Sequence, residues 1–158
     1  METSMTLEEL NEMWAKDAKI DEAQLGHEAI KIPQLHNKYY TIYSKEALRM
    51  RKYKADLKEL EHAKYEWYTG TMAEEDIKSR GWRPNPLKIL RTDVNKYIES
   101  DKDVINLSLK IDYHMQIANY LEDIIRQINN RNFMIKAAID WAKFCLLYTS
   151  DAADDLTR

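Results

Sequence analysis

From Leu35 to Tyr68 the chain contains neither glycine nor proline, while Leu35, Tyr39, Ile42, Tyr43, Met50, Tyr53, Leu57 and Leu60 return at helical intervals along one stripe. A helix of that run is about 50 Å long at 1.5 Å per residue. Helices of such length draw their stability from packing an apolar face, so the stripe needs a cover. Glu46 interrupts the stripe, and Gly70 is placed to terminate the helix. With three glycines and three prolines in 158 residues, the chain reads as all-α, an elongated helical protomer.

The remaining elements follow from caps and periodicity. Thr6-Leu7-Glu8-Glu9 has capping-box spacing ahead of Leu7, Leu10 and Trp14. Asp21 is placed to cap a short helix reaching Ile30 or Lys31, limited by Pro33. After the basic helix of residues 35–69, residues 70–100 read as a connector with Gly81, Pro84 and Pro86 and a short helix at 73–79. Its Trp82-Arg83 pair either covers an apolar edge or meets a ligand. A helix over 103–128 carries Val104, Leu107, Ile111, Ile117, Ala118, Leu121, Ile124, Ile125 and Ile128 on one face, with Asp101 or Asp103 as its cap. The stretch NNRN at 129–132 suggests a turn or break before a terminal helix with Phe133, Ala137, Trp141 and Phe144, or else continuity with it. Residues 1–144 read as a single helical domain. Residues 145–158 lose the pattern and are assigned no function, as a disordered or foreign end.

A net charge of -3 conceals segregation. Residues 1–30 sum to -6, residues 31–64 to +5, and residues 78–96 again to +5. An approaching polyanion responds to the local patch within roughly 10 Å, so a phosphate-rich partner is compatible with this composition. On the long helix Lys38, Lys45, Arg49 and Lys52 flank one side of the apolar stripe, and Arg51, Lys54, Lys58 and His62 the other. Such flanks either line a phosphate-binding groove or form a solvated face.

Lys64 differs, because its phase lies inside the apolar sector and HAKYEWYTG (62–70) surrounds it with aromatics. It either buries its stem and snorkels, or leaves the seam at the helix end to reach a phosphate. Trp67 and Tyr68 either pack or stack bases. Lys78, Arg80, Arg83, Lys88 and Arg91 form a basic connector, and Arg126, Arg131 and Lys136 a third positive group, with solvated loop and helix-end roles as the alternatives.

Catalytic chemistry has little footing. No GxGxxG or Walker element occurs, and His27, His36, His62 and His114 make no HExxH or other metal spacing. Lone Cys145 supplies neither a disulfide nor a zinc set, and neither a signal segment nor an eighteen-residue apolar run is present. Binding and assembly, without cofactor or metal, are the expected work.

Taken in order, KDAKIDEAQLGHEA, KEALRM, HAKYEWYTG, ESDKDV and RNFMIKAAIDWAKF resemble UvsY, the recombination mediator family of large tailed phages, over residues 7–144. The resemblance implies a non-enzymatic, ring-like homo-hexamer or homo-heptamer that binds single-stranded DNA in the cytoplasm of the infected bacterial host. It also implies loading of a phage RecA-like recombinase onto DNA coated by the phage single-strand-binding protein. The family's basic positions fall on His62 and Lys64, and its aromatic positions on Trp67 and Tyr68. Histidine at the first of these departs from the pattern, since neutral imidazole attracts phosphate weakly, and Lys58 one turn earlier is expected to compensate in part. The DNA-contact set is thus Lys64, Lys58, His62, Trp67, Tyr68, Arg51, Lys54 and Arg83. Assembly is expected through the C-terminal helices, at Leu107, Ile111, Leu121, Ile125 and Ile128. The alternative is a helical protein-protein adapter that never touches DNA.

Overall fold

A computed structural model of the protein describes residues 5–157. These residues form helices only: α1 (Leu7–Asp17), a 3-10 turn (Glu22–Gln24), α2 (Leu25–Ile30), α3 (Ile32–Thr69), α4 (Glu74–Ser79), α5 (Val94–Glu99) and α6 (Lys102–Leu156). They pack as two compact units, residues 5–44 with 117–157 and residues 45–116, and α3 and α6 contribute to both.

In the first unit, Leu10 of α1, Tyr39 of α3 and Ile117, Leu121, Ile124 and Ile128 of α6 make a core sealed from solvent. Trp14 meets the Tyr39 ring edge-on at 5.4 Å between centroids. The Thr6–Glu9 capping box forms as expected, with Glu9 N donating to Thr6 Oγ1 (3.2 Å) and Thr6 N to Glu9 Oε2 (2.9 Å). Asp21 caps by accepting from Ala23 N at 2.9 Å, and the expected short helix to Ile30 begins as a 3-10 turn before passing into α2. Pro33 falls in the first turn of α3, where its missing N–H costs nothing.

Of the two readings of residues 129–132, break or continuity, α6 takes continuity, and Arg131 is buried there and works as a clamp. Its guanidinium donates to the carbonyls of Asp17 (3.1 Å), Ala18 (3.2 Å) and Lys19 (2.8 Å) and to Glu28 Oε2 (2.9 Å). A cation is thereby set against the C-terminus of α1, where the helix dipole favours it. That tertiary gain outweighs the poor helix propensity of the flanking asparagines. Arg131 therefore belongs to the interior of the first unit rather than to a positive surface. Burial pushes the Asp17 carboxyl up, but hydrogen bonds from Lys38 Nζ and Tyr39 Oη outweigh it and hold the group below the usual carboxylate range.

In the second unit, Val94, Val104, Ile111 and Ala63 are buried. Glu46, the interruption of the α3 stripe, is also buried, and accepts from His114 Nδ1 at 2.8 Å and pairs with Arg49. The connector is more ordered than its composition suggests. Besides α4 it contains α5, which has no counterpart in the sequence reading. The α6 helix runs on through Leu156, and every described side chain from Asp140 onward is exposed.

Candidate nucleic-acid interface

The second unit holds the candidate site, at the C-terminus of α3 and the start of α6. Gly70, at φ +73, ends α3 with a Schellman pairing, in which Thr71 N donates to Glu66 O (2.9 Å) and Gly70 N to Trp67 O (3.3 Å). Gly81, at φ +68, repeats the device after α4, with Trp82 N donating to Ile77 O (3.0 Å) and Gly81 N to Lys78 O (3.0 Å). Both reversals need a left-handed residue, which glycine adopts without strain. The second delivers Trp82 onto Lys64, whose Nζ stands 4.2 Å from the indole centroid and 5.4 Å from that of Trp67.

Lys64 is only 6 % exposed. Its ammonium lies 3.0 Å from Asp101 Oδ2 and 2.8 Å from Asp103 Oδ2. Asp101 also accepts from the Tyr68 hydroxyl (2.8 Å), and its other oxygen caps α6 by accepting from Asp103 N (2.9 Å). Burial pushes the Asp101 carboxyl up, but the bonds from Tyr68, Lys64 and Asp103 N together bring it below its ordinary range. The reciprocal effect falls on Tyr68, whose phenol is pushed up to about 12 by burial and by the Asp101 carboxylate. Trp67 Nε1 donates to Arg83 O (2.8 Å) and Ile89 N to Tyr68 O (2.9 Å), so the connector folds back on the end of α3.

This geometry sorts the residues expected at the interface. Arg51, Lys54 and Lys58 are exposed along α3, with none of the three ion-paired among the described residues. His62 is exposed one turn beyond Lys58 and lies 3.4 Å from Glu66. Arg83 is exposed on the connector. Lys64, Trp67 and Tyr68 all have internal partners; Lys64 is buried against Asp101, Asp103 and Trp82, whereas Trp67 and Tyr68 are half-buried. Asp101, Asp103 and Trp82 are thus the site residues that sequence reasoning missed as partners. A lysine in an apolar phase announces that a counter-charge is needed, but nothing local says where it comes from.

The assembly residues sort likewise. Leu121 and Ile128 are fully buried in the core of the first unit, and Ile111 is buried in the second. Leu107 and Ile125 are half-buried. Further along α6, Phe133, Trp141 and Phe144 are 72 %, 65 % and 58 % exposed. No group of three or more metal-ligating side chains is present among the described residues, nor is any helix long and apolar enough to cross a membrane.

The described residues thus define an all-α protein with a row of exposed cations and a buried cation–aromatic junction. The chain belongs to the family described as recombination, repair and ssDNA binding protein UvsY, whose model matches residues 13–146. Members of that family are non-enzymatic recombination mediators. The recombination protein uvsY of Enterobacteria phage T4 is 24 % identical over 140 residues, spanning 89 % of this chain and 97 % of its own. The fold is similar to crystal structures of the bacteriophage T4 recombination mediator protein UvsY. Two lattice forms give TM-scores of 0.76 and 0.74 at 24 % identity, each over 89 % of this chain and over 97 % and 98 % of theirs.

Proposed function

We propose that this chain is a single-stranded-DNA-binding recombination mediator. It helps load a phage RecA-like recombinase onto DNA coated by the phage single-strand-binding protein, in the cytoplasm of the infected bacterial host. The observation that carries the DNA contact is the exposed row Arg51, Lys54 and Lys58 on α3, continued by His62 and joined by Arg83 from the connector. Three or four residues separate neighbours on α3, so the cations line one side of the helix about a turn apart. Phosphates are met by charge without base readout, which suits a partner of arbitrary sequence.

Assembly as a homo-hexamer or homo-heptamer multiplies such weak contacts through effective concentration. The surface for it is the exposed apolar set Phe133, Trp141 and Phe144 on α6, since Leu121 and Ile128 are already committed to the protomer's interior. Trp141 and Phe144 stack at 5.7 Å between ring centroids, and exposed apolar patches mark interaction surfaces.

The test is a sodium chloride titration of oligo-dT and duplex binding, with the mass of the complex measured by light scattering. K54A/K58A is expected to weaken oligo-dT binding and to lower the magnitude of the salt slope by about 1.4, at roughly 0.7 per phosphate contact. An unchanged slope would favour the protein adapter, for which the internal pairing of Lys64 is the supporting observation.

A further inference from the structure

The sequence motif around Lys64 invites a direct phosphate contact, yet three observations place its charge elsewhere. The ammonium is buried, it is paired with two carboxylates, and its open side is roofed by an indole. The partners come from two separate pieces of the second unit: Asp101 and Asp103 from the start of α6, and Trp82 from the turn after α4. Trp82 is flanked by two connector arginines. The Arg80 guanidinium lies 5.3 Å from the Trp82 ring centroid and lines a recess shared with His62 of α3, while the backbone of Arg83 holds the Trp67 indole. That recess also has Glu59, Glu66 and Asp76 on its walls, so it is acidic on balance and Arg80 is the one arginine or lysine among its lining residues.

We propose that Lys64 is a positioning residue: its buried ammonium pins Trp82 and the head of α6, and so fixes Arg80 beside His62 and the Arg83 backbone against Trp67 at the end of α3, without itself meeting a phosphate. This rests on the DNA-binding reading above and changes which side chains do the gripping. Loosening the clamp releases the connector and leaves the acidic walls of the recess to face the strand.

The two roles of Lys64 give opposite signs for one mild substitution. Asp103 has a 53 % exposed side chain and sits in the first turn of α6, so D103A leaves the buried Asp101 pair to hold the fold. If Lys64 were a phosphate contact held in reserve, D103A would remove a repelling charge, release the ammonium and strengthen oligo-dT binding. As a positioning residue, its loosening weakens binding by about threefold or more. R80A/R83A added to D103A costs little further, because both act through one connector.

The same proteins are read without DNA. Acrylamide quenching of tryptophan emission should rise in D103A relative to the unchanged sequence, and this rise should vanish when both carry W82F. Tighter oligo-dT binding by D103A, fully additive losses with R80A/R83A, or unaltered quenching would each overturn the proposal. Failure of K54A/K58A to affect binding would instead remove the DNA reading itself. The quenching arm would then still report whether Lys64 and Asp103 hold Trp82, while the proposed effect on DNA grip would fall.

Discussion

Replacing Arg131 by methionine tests the clamp in the first unit most directly. Methionine fills much of the space of the arginine stem but removes a guanidinium that donates four hydrogen bonds, three to carbonyls at the end of α1 and one to Glu28. The Arg131 and Glu28 side chains are only 4 % and 8 % exposed, so the substitution orphans a buried carboxylate rather than a solvated one. Breaking a buried pair from one side costs about 3–5 kcal/mol. Lys31, 3.1 Å from Glu28 and half in solvent, remains as a partner and places the expectation near the lower end, about 3 kcal/mol.

The pH dependence gives a second handle. The Arg131 hydrogen bond, with that of Lys31 behind it, holds the folded Glu28 carboxyl below its ordinary value. At acidic pH the unfolded chain therefore binds the proton first. The pair's contribution is complete above the unfolded value and is lost as pH falls through the lower folded one. Arg131→Met should thus show its largest deficit near neutrality and a shrinking one in acid, where Glu28 is protonated and its orphaned charge disappears. Urea unfolding at fixed protein concentration, followed by tryptophan emission and far-UV circular dichroism, measures both quantities. Adding Glu28→Gln should recover part of the loss. A deficit below about 1 kcal/mol, the scale of one ordinary hydrogen bond, or a deficit independent of pH, would refute the clamp.

Leu121→Ala, at a side chain with no solvent exposure, should cost about 2–5 kcal/mol in the same urea experiment, and a cost under 1 kcal/mol would mean its packing is weaker than the core suggests. Gly70→Ala forces a Cβ into left-handed backbone and to 3.1 Å from the Lys88 side chain, so a loss of about 1–2 kcal/mol is expected by thermal melting. Tyr68→Phe removes the donor to Asp101 and should cost about 1 kcal/mol at neutral pH. Because the folded Tyr68 phenol is raised to about 12, the unfolded chain loses that proton first on alkalinisation, and stability falls with rising pH until the folded value is passed. Tyr68→Phe should therefore flatten the alkaline decline in melting temperature, and an identical decline in both proteins would contradict the assignment.

Local chemistry determined the start of α1, the body of α3 and its end. The Thr6–Glu9 box, the stop at Gly70 and the apolar stripe through Tyr39 and Leu57 depend on neighbours within a turn or two, and so could be read from the chain itself. The unusual phase of Lys64 was also visible, and with it the need for a partner. Tertiary structure alone decided which partners were found. Asp101, Asp103 and Trp82 are 18 to 39 residues from Lys64 in sequence, and Arg131 reaches back more than a hundred residues to α1 and Glu28. Those contacts pair the Lys64 ammonium with two carboxylates in the interior and carry α6 through NNRN as continuous helix. The apolar face of α6 shows the same division: periodicity reveals that Leu121 and Ile128 must be covered, but only packing shows that their own protomer covers them while Phe133 and Trp141 stay exposed. Burial and charge pairing are satisfied by whatever the fold brings near, and a helix's periodicity specifies a face without specifying its mate.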